Sequence, residues 1–246
     1  LGDVYKRQPY MQREGISCDF VGHPVANENL PEPSLVKKFR QQHKIGENDA
    51  LVAFLPGSRI SEVDRLMPVF KNVSSMLISQ KLNTRIVTVV APAVEHIVVE
   101  NLQRWGNNII VVTKDDLSSN DFQKLKRVVF ASCDIALAAS GTVSLELAST
   151  ETPTVIAYDM GFLSRLVFRL LVSVKSVNLV NLISEQHTIP EFIGSNCKPD
   201  KIFQALLNQL EDPTGQKTAM RKSLDLLSVG GAVSYTHLRA HETILD

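Results

Sequence analysis

The chain has 246 residues, 44% of them hydrophobic and 21% charged, enough apolar mass for one sizeable core or for one domain plus part of a second. Lysine plus arginine and aspartate plus glutamate both total 26, so no global field draws in nucleic acid, and any anion must be held locally. The three cysteines, Cys18, Cys133 and Cys197, are odd in number and far apart, which excludes a disulfide framework and a C-x-x-C zinc site and points to a reducing compartment.

Both ends read as foreign to the pattern between them. Leu1–Gln8 precedes anything periodic, and about Val233–Asp246 holds two histidines and continues no earlier repeat. Both strings resemble translated adapter sequence and are set aside from fold reasoning. Residues 9–30 read as the end of a preceding domain and a linker, with Phe20-Val21-Gly22-His23-Pro24 as a strand end and turn, and His23 either shaping a cleft or capping the turn. A helix is expected over Pro33–His43 and a buried strand over Ala50–Leu55, running into Pro56-Gly57-Ser58-Arg59. Val63, Leu66, Met67, Phe70, Val73 and Leu77 then recur at helical steps. Arg85–Val90 reads as a strand, Val94–Trp105 as a helix, Ile109–Val112 as a strand and Phe122–Ala131 as a helix.

Ile135–Ala139 is a short apolar run with no charge, the pattern of a strand buried on both faces. Ser140, Gly141 and Thr142 break it with small residues suited to a tight turn, and Val143 to Leu147 continue as helix. Pro153–Tyr158 follows as a strand, Leu163–Val174 as an apolar helix with Arg165 and Arg169, and Val177–Ile183 as an extended stretch. Pro190-Glu191-Phe192 reads as a turn, and helices close the chain over Ile202–Leu210 and Lys217–Leu227. Strands alternating with helices predict an α/β fold: a Rossmann-like parallel sheet with helices on both faces, here over residues 31–212, with a C-terminal helix over 213–232.

Such sheets bind ligands at the carboxyl ends of their strands, near a switch in strand order. Two stretches have the right form. After Leu55, Gly57 permits close backbone approach, Ser58 can cap a helix, and Arg59 brings a permanent forked cation suited to a diphosphate. After Ala139, Ser140, Gly141 and Thr142 open a helix toward a phosphate, with Glu146 one turn in, at the reach of a sugar hydroxyl. Neither stretch is G-x-G-x-x-G or a P-loop, which disfavours a dinucleotide oxidoreductase or a P-loop nucleotidase. Taken singly, each is also ordinary loop chemistry.

The ordered set F-V-G-H-P (Phe20–Pro24), L-P-G-S-R-x-x-E (Leu55–Glu62), A-S-G-T-V-S-L-E (Ala139–Glu146), T-P-T-V-I-A-Y (Thr152–Tyr158), V-N-L-V-N-L-I (Val177–Ile183) and P-E-F (Pro190–Phe192) resembles the C-terminal half of the lipid-A-disaccharide synthases over about Pro9 to Ala232. That resemblance implies the C-terminal domain of an inverting GT-B glycosyltransferase. The reaction it implies joins UDP-2,3-diacylglucosamine to 2,3-diacylglucosamine 1-phosphate and releases UDP, in the cytoplasm or peripherally on the inner membrane, with no cofactor and no metal. It assigns Arg59 and Asn181 to catalysis and Gly57, Ser58, Arg59, Ser140, Gly141, Thr142, Glu146, Tyr158 and Glu191 to the UDP moiety. It puts the general base in an N-terminal domain mostly missing here, so the chain alone is expected to bind nucleotide without catalysing. Val180 stands where the family usually has proline, and Gly194 near where it commonly has glutamine.

Gly161–Val174 has the apolar and basic mix of an interfacial helix for a membrane surface, but reads first as a sheet-covering core helix with its arginines at the solvent edge. Two further readings stay open: another UDP-sugar enzyme, such as a peptidoglycan N-acetylglucosaminyltransferase or a sugar-nucleotide epimerase, and a non-catalytic nucleotide-binding module. Oligomeric state is not legible.

Overall fold

The computed structural model describes residues 22–80, 83–105, 109–139, 141–159 and 176–228, together with Arg13 and Gly15. The end strings 1–8 and 233–246, the amphipathic stretch 161–174 and Ser140 lie outside the described residues.

Chain order gives α1 (Pro33–Gln42), β1 (Ala50–Leu55), α2 (Ile60–Ser79), β2 (Thr84–Val89), α3 (Glu95–Gln103), β3 (Ile109–Val112), α4 (Ser119–Ser132), β4 (Ile135–Ala138), α5 (Val143–Ser149) and β5 (Thr154–Tyr158). Then come α6 (Leu179–Ser184), β6 (Glu191–Ile193), α7 (Pro199–Glu211) and α8 (Thr214–Ser228). The strands form one sheet in the order β3-β2-β1-β4-β5-β6, every neighbouring pair parallel. Order reverses between β1 and β4, which makes that gap the topological switch point.

Alternate residues of the central strands feed two separate cores, as the two-residue period of a strand requires. Leu51, Ala53 and Leu55 of β1, Ala136 and Ala138 of β4 and Ile156 of β5 pack with Phe39, Phe130, Leu145, Val180 and Met220. That face is covered by α1, α4, α5, α6 and α8. Val52, Phe54, Ile135, Leu137, Val155 and Ala157 point the other way, against Leu66, Phe70, Leu77, Phe203 and Leu206 of α2 and α7. Val63, Met67, Val98 and Leu102 extend this second layer between α2 and α3. A central strand buried on both sides cannot alternate polar and apolar residues, which is why these segments read as continuous apolar runs. The α/β fold with helices on both faces is present as expected.

Two expectations fail locally. Val177–Ile183 is not extended: Leu179–Ser184 is helix, started by Asn178, whose side-chain carbonyl accepts from the amides of Val180 (2.8 Å) and Asn181 (3.2 Å). Its apolar residues suit either period, and the asparagine cap together with burial of Val180 and Ile183 selects the helix. Pro190-Glu191-Phe192 is not merely a turn either. Glu191–Ile193 pairs with Ile156–Tyr158 as the sheet's last strand, a partnership set by tertiary contact rather than by its own composition.

Long polar side chains lock the fold where strands begin. Arg40 of α1 donates to the carbonyls of Ser132 (2.8 Å), Gly46 (3.1 Å) and Asp49 (2.7 Å) and pairs with Asp134 at 3.3 Å. Asp134 in turn accepts from the amide of Leu51 at 2.7 Å, tying the entrances of β1 and β4 together. The side-chain amide of buried Gln216 bonds both the N–H (2.7 Å) and the C=O (2.9 Å) of Thr154, which docks α8 onto the start of β5.

Candidate functional site

At the switch point the loops following β1 and β4 lie side by side and enclose a cleft of about 420 Å³. Gly57, Ser58, Arg59 and Glu62 line it from one side, Gly141, Thr142, Val143 and Glu146 from the other. Val89 to Pro92 beyond β2, and Phe122, Gln123, Lys126 and Phe130 of α4, complete the wall. Six of the residues expected to meet a nucleotide thus converge in one place: Gly57, Ser58, Arg59, Gly141, Thr142 and Glu146.

The first loop is shaped around a carboxylate. Gly57 has φ +115°, and a Cβ there would fall 2.7 Å from Oε2 of Glu62 and 3.0 Å from its Cβ, so only glycine fits. Glu62 is 8% exposed; its Oε2 accepts from the amide of Ser58 at 3.3 Å, and its Oε1 sits 2.8 Å from Nη1 of Arg59. Ser58 therefore does not cap α2 with its hydroxyl. Arg59 occupies the N-cap position with no side-chain cap, and Glu62, in the first turn, reaches back instead. The Arg59 side chain is 76% exposed, and an ion pair that open to water contributes less than about 1 kcal/mol, so the guanidinium can exchange Glu62 for a ligand cheaply. The amide of Glu62 bonds the Arg59 carbonyl at 3.0 Å, and the start of this 20-residue helix adds positive potential at the same spot.

The second loop turns at Gly141, φ +132°, which opens onto unobstructed space. Thr142 holds the N-cap of α5 without a side-chain cap bond. Glu146, one turn on, meets the Nζ of Lys126 at 2.7 Å. Lys126 was not picked out by the sequence reading, although a lysine four residues from both Phe122 and Phe130 on an otherwise apolar helix face was a legible signal.

Asn181 and Glu191 lie apart from this cleft, in a network of their own. Asn181 is 3% exposed; its amide nitrogen donates to Ile189 O (2.8 Å) and Glu191 Oε1 (2.9 Å), and its oxygen accepts from Ile189 N (3.0 Å). Glu191 also accepts from Ser176 Oγ and from the amides of Val177 (3.0 Å) and Asn178 (3.1 Å). Together they hold α6 against β6. Tyr158 ends β5, paired with Ile193 across the ladder.

His23 resolves as a turn cap: its Nδ1 accepts from the amide of Val25 at 3.2 Å, and its own amide bonds Leu227 O at 3.0 Å. Burial holds its pKa below the ordinary 6.5, opposed by the carboxylates of Glu28 and Glu146. Among the described residues no cluster of three or more His, Cys, Asp or Glu could hold a metal, and no helix is long and apolar enough to cross a membrane.

A larger open groove of about 900 Å³ lies at the amino ends of the strands, bordered by Arg40, Asp134 and Lys217. It is the wrong edge of a parallel sheet for a ligand, and its arginine is already committed to backbone carbonyls.

The family model for lipid-A-disaccharide synthetase matches residues 7–243. Relatives named lipid-A-disaccharide synthase include one from Ruegeria pomeroyi, 39% identical over 97% of this chain and 59% of its own length, and one from Rhodospirillum centenum, 35% identical over 85% and 50%. The chain thus spans about half to three-fifths of the curated relatives it matches. Among solved structures, WaaG, a glycosyltransferase involved in lipopolysaccharide biosynthesis, aligns over 92% of this chain and 58% of its own with TM-score 0.53 and 16% identity. An S. aureus MnaA-UDP co-structure aligns over 88% of this chain and 52% of its own with TM-score 0.54 and 13% identity. At such identities these likenesses speak to the fold, which is that of the GT-B glycosyltransferases.

Proposed function

The chain belongs to the lipid-A-disaccharide synthetase family, and from that premise we propose that its switch-point cleft holds the UDP moiety of UDP-2,3-diacylglucosamine. The acceptor in this reading is 2,3-diacylglucosamine 1-phosphate. One observation carries the proposal: the loops after β1 and β4 meet at the carboxyl edge with Arg59 on one side and Glu146 on the other. In transfer, an acceptor hydroxyl oxygen bonds to the anomeric carbon as the bond from that carbon to the diphosphate oxygen breaks. The hydroxyl proton passes to a general base, and UDP departs with the electron pair. The start of α2, a fixed positive potential, and Arg59, a cation that exchanges Glu62 for the ligand, stabilise the charge that grows on the leaving diphosphate. Glu146 accepts from the ribose hydroxyls. Asn181 and Glu191 serve by holding the β6 side of the domain, and Tyr158 ends β5 at the same carboxyl edge of the sheet.

The general base belongs in this reading to an N-terminal domain, so the 246-residue chain is expected to bind UDP and to form no disaccharide by itself. Contact with a membrane surface, on the cytoplasmic side, rests in this reading on residues 161–174.

Calorimetry with UDP tests the site. Binding to the wild type, weakened about tenfold or more by Arg59→Ala, is the expected result, since a charge-assisted bidentate contact is lost. A folded wild type that takes up no UDP at millimolar concentration overturns the proposal.

A further inference from the structure

Phe122, Lys126 and Phe130 follow one another at four-residue steps on the face of α4 that lines the cleft. The two phenylalanines are 6% and 1% exposed, and the lysine between them has a side chain only 15% exposed. Packing alone does not select a cation there. An apolar side chain of similar length would close the stripe without desolvating an ammonium. Nor does the pairing of α4 with α5 require charge, because both helices already bury apolar residues against the same core, Val129 and Phe130 from α4, Leu145 and Leu147 from α5. Among the described residues the ammonium pairs with Oε2 of Glu146 at 2.7 Å, and that carboxylate stands on the wall of the cleft.

We propose that Lys126 is a positioning residue, which pins Oε2 of Glu146 so that Oε1 is presented to the vicinal hydroxyls of a ribose; this rests on the nucleotide reading of the cleft. A glutamate on a helix surface samples several rotamers, and a hydrogen bond to a diol gains from having that freedom removed beforehand. The Arg59–Glu62 pair across the cleft works differently: Glu62 is buried and shapes the loop, while exposed Arg59 is the mobile partner. At Lys126–Glu146 both members are largely enclosed, 15% and 27% exposed, and the pair is built to stay together.

The test compares UDP with 2′,3′-dideoxy-UDP by calorimetry on the full 246-residue chain, as wild type, Lys126→Met and Lys126→Arg, with circular dichroism as the check on folding. The wild type is expected to prefer UDP by about tenfold or more, the worth of a charge-assisted hydrogen bond. Lys126→Met is expected to lose most of that preference while holding the dideoxy nucleotide as well as the wild type does, and Lys126→Arg to restore it. A Lys126→Met variant that keeps the wild-type preference overturns the proposal, and so does one that weakens both nucleotides equally, which marks a direct phosphate contact. A wild type that binds both nucleotides equally removes the ribose role of Glu146 and that of Lys126 with it, leaving the nucleotide site standing. A wild type that binds neither overturns the site as a whole.

Discussion

The amide of Ala139 donates to the carbonyl of Leu55 at 2.8 Å, closing the ladder between β1 and β4 at its carboxyl end. Directly beyond this rung one chain leaves for Gly57 and the other for Gly141. The two segments are far apart in sequence, and two intervening strands lie on the far side of β1, so adjacency here is a consequence of strand order alone. That single relationship turns two ordinary loops into opposite walls of one cleft.

Gly57→Ala is expected to be destabilising by about 2 kcal/mol or more, because a positive φ is compounded by a Cβ 2.7 Å from the Glu62 carboxylate. Gly141→Ala bears the backbone strain without the collision and is expected to cost about 1 kcal/mol. Denaturant midpoints of the two variants check this ordering. Equal losses would show that close approach to Glu62 is not what demands glycine at Gly57.

Asn181→Ala is expected to cost about 1–3 kcal/mol for each buried partner it orphans, the amide and carbonyl of Ile189 foremost. Asn181→Asp keeps an acceptor for the Ile189 amide, yet sets a second carboxylate against Glu191 and is expected to be no better. Chemical denaturation measures the loss, and faster amide exchange at Ile189 locates it. A folded Asn181→Ala variant with wild-type stability and weakened UDP binding would place this asparagine at the ligand instead.

Protonation of His23 is expected to erode stability in mild acid. Burial lowers its folded pKa below the ordinary 6.5, so the unfolded chain takes up the proton first. The contribution is therefore complete above 6.5 and is lost as pH falls through the lowered folded value. Protonated Nδ1 can also no longer accept from the Val25 amide, so the turn loses its cap as the ring charges. His43, lowered by burial and then by Arg85, adds to the same limb. His23→Asn keeps a capping acceptor without the titration, and denaturant midpoints between about pH 7.5 and pH 5 are expected to fall less steeply in it than in the wild type. An unchanged slope would exclude His23 as a source of the acid limb.

Local chemistry determined much of this protein from the sequence. The run Ala50–Leu55 could be bounded to the residue, because a doubly buried strand admits nothing but apolar side chains between its turns, and Ile109–Val112, an edge strand with Val111 exposed, by its β-branched run. The glycines after β1 and β4 and the arginine beside the first were legible as loop residues at strand ends, and the structure brings them to one cleft. Tertiary structure decided the rest. Leu179–Ser184 became helix and Glu191–Ile193 became strand through an asparagine cap and an edge pairing that short apolar stretches do not specify by themselves. Lys126 was legible as the lysine between two phenylalanines, but its partner Glu146 came into view only when α4 was laid beside α5, since a salt bridge between separate elements has no sequence spacing to betray it. The order β3-β2-β1-β4-β5-β6 likewise covers both apolar faces of the central strands at once, a property of the whole sheet that no single segment contains.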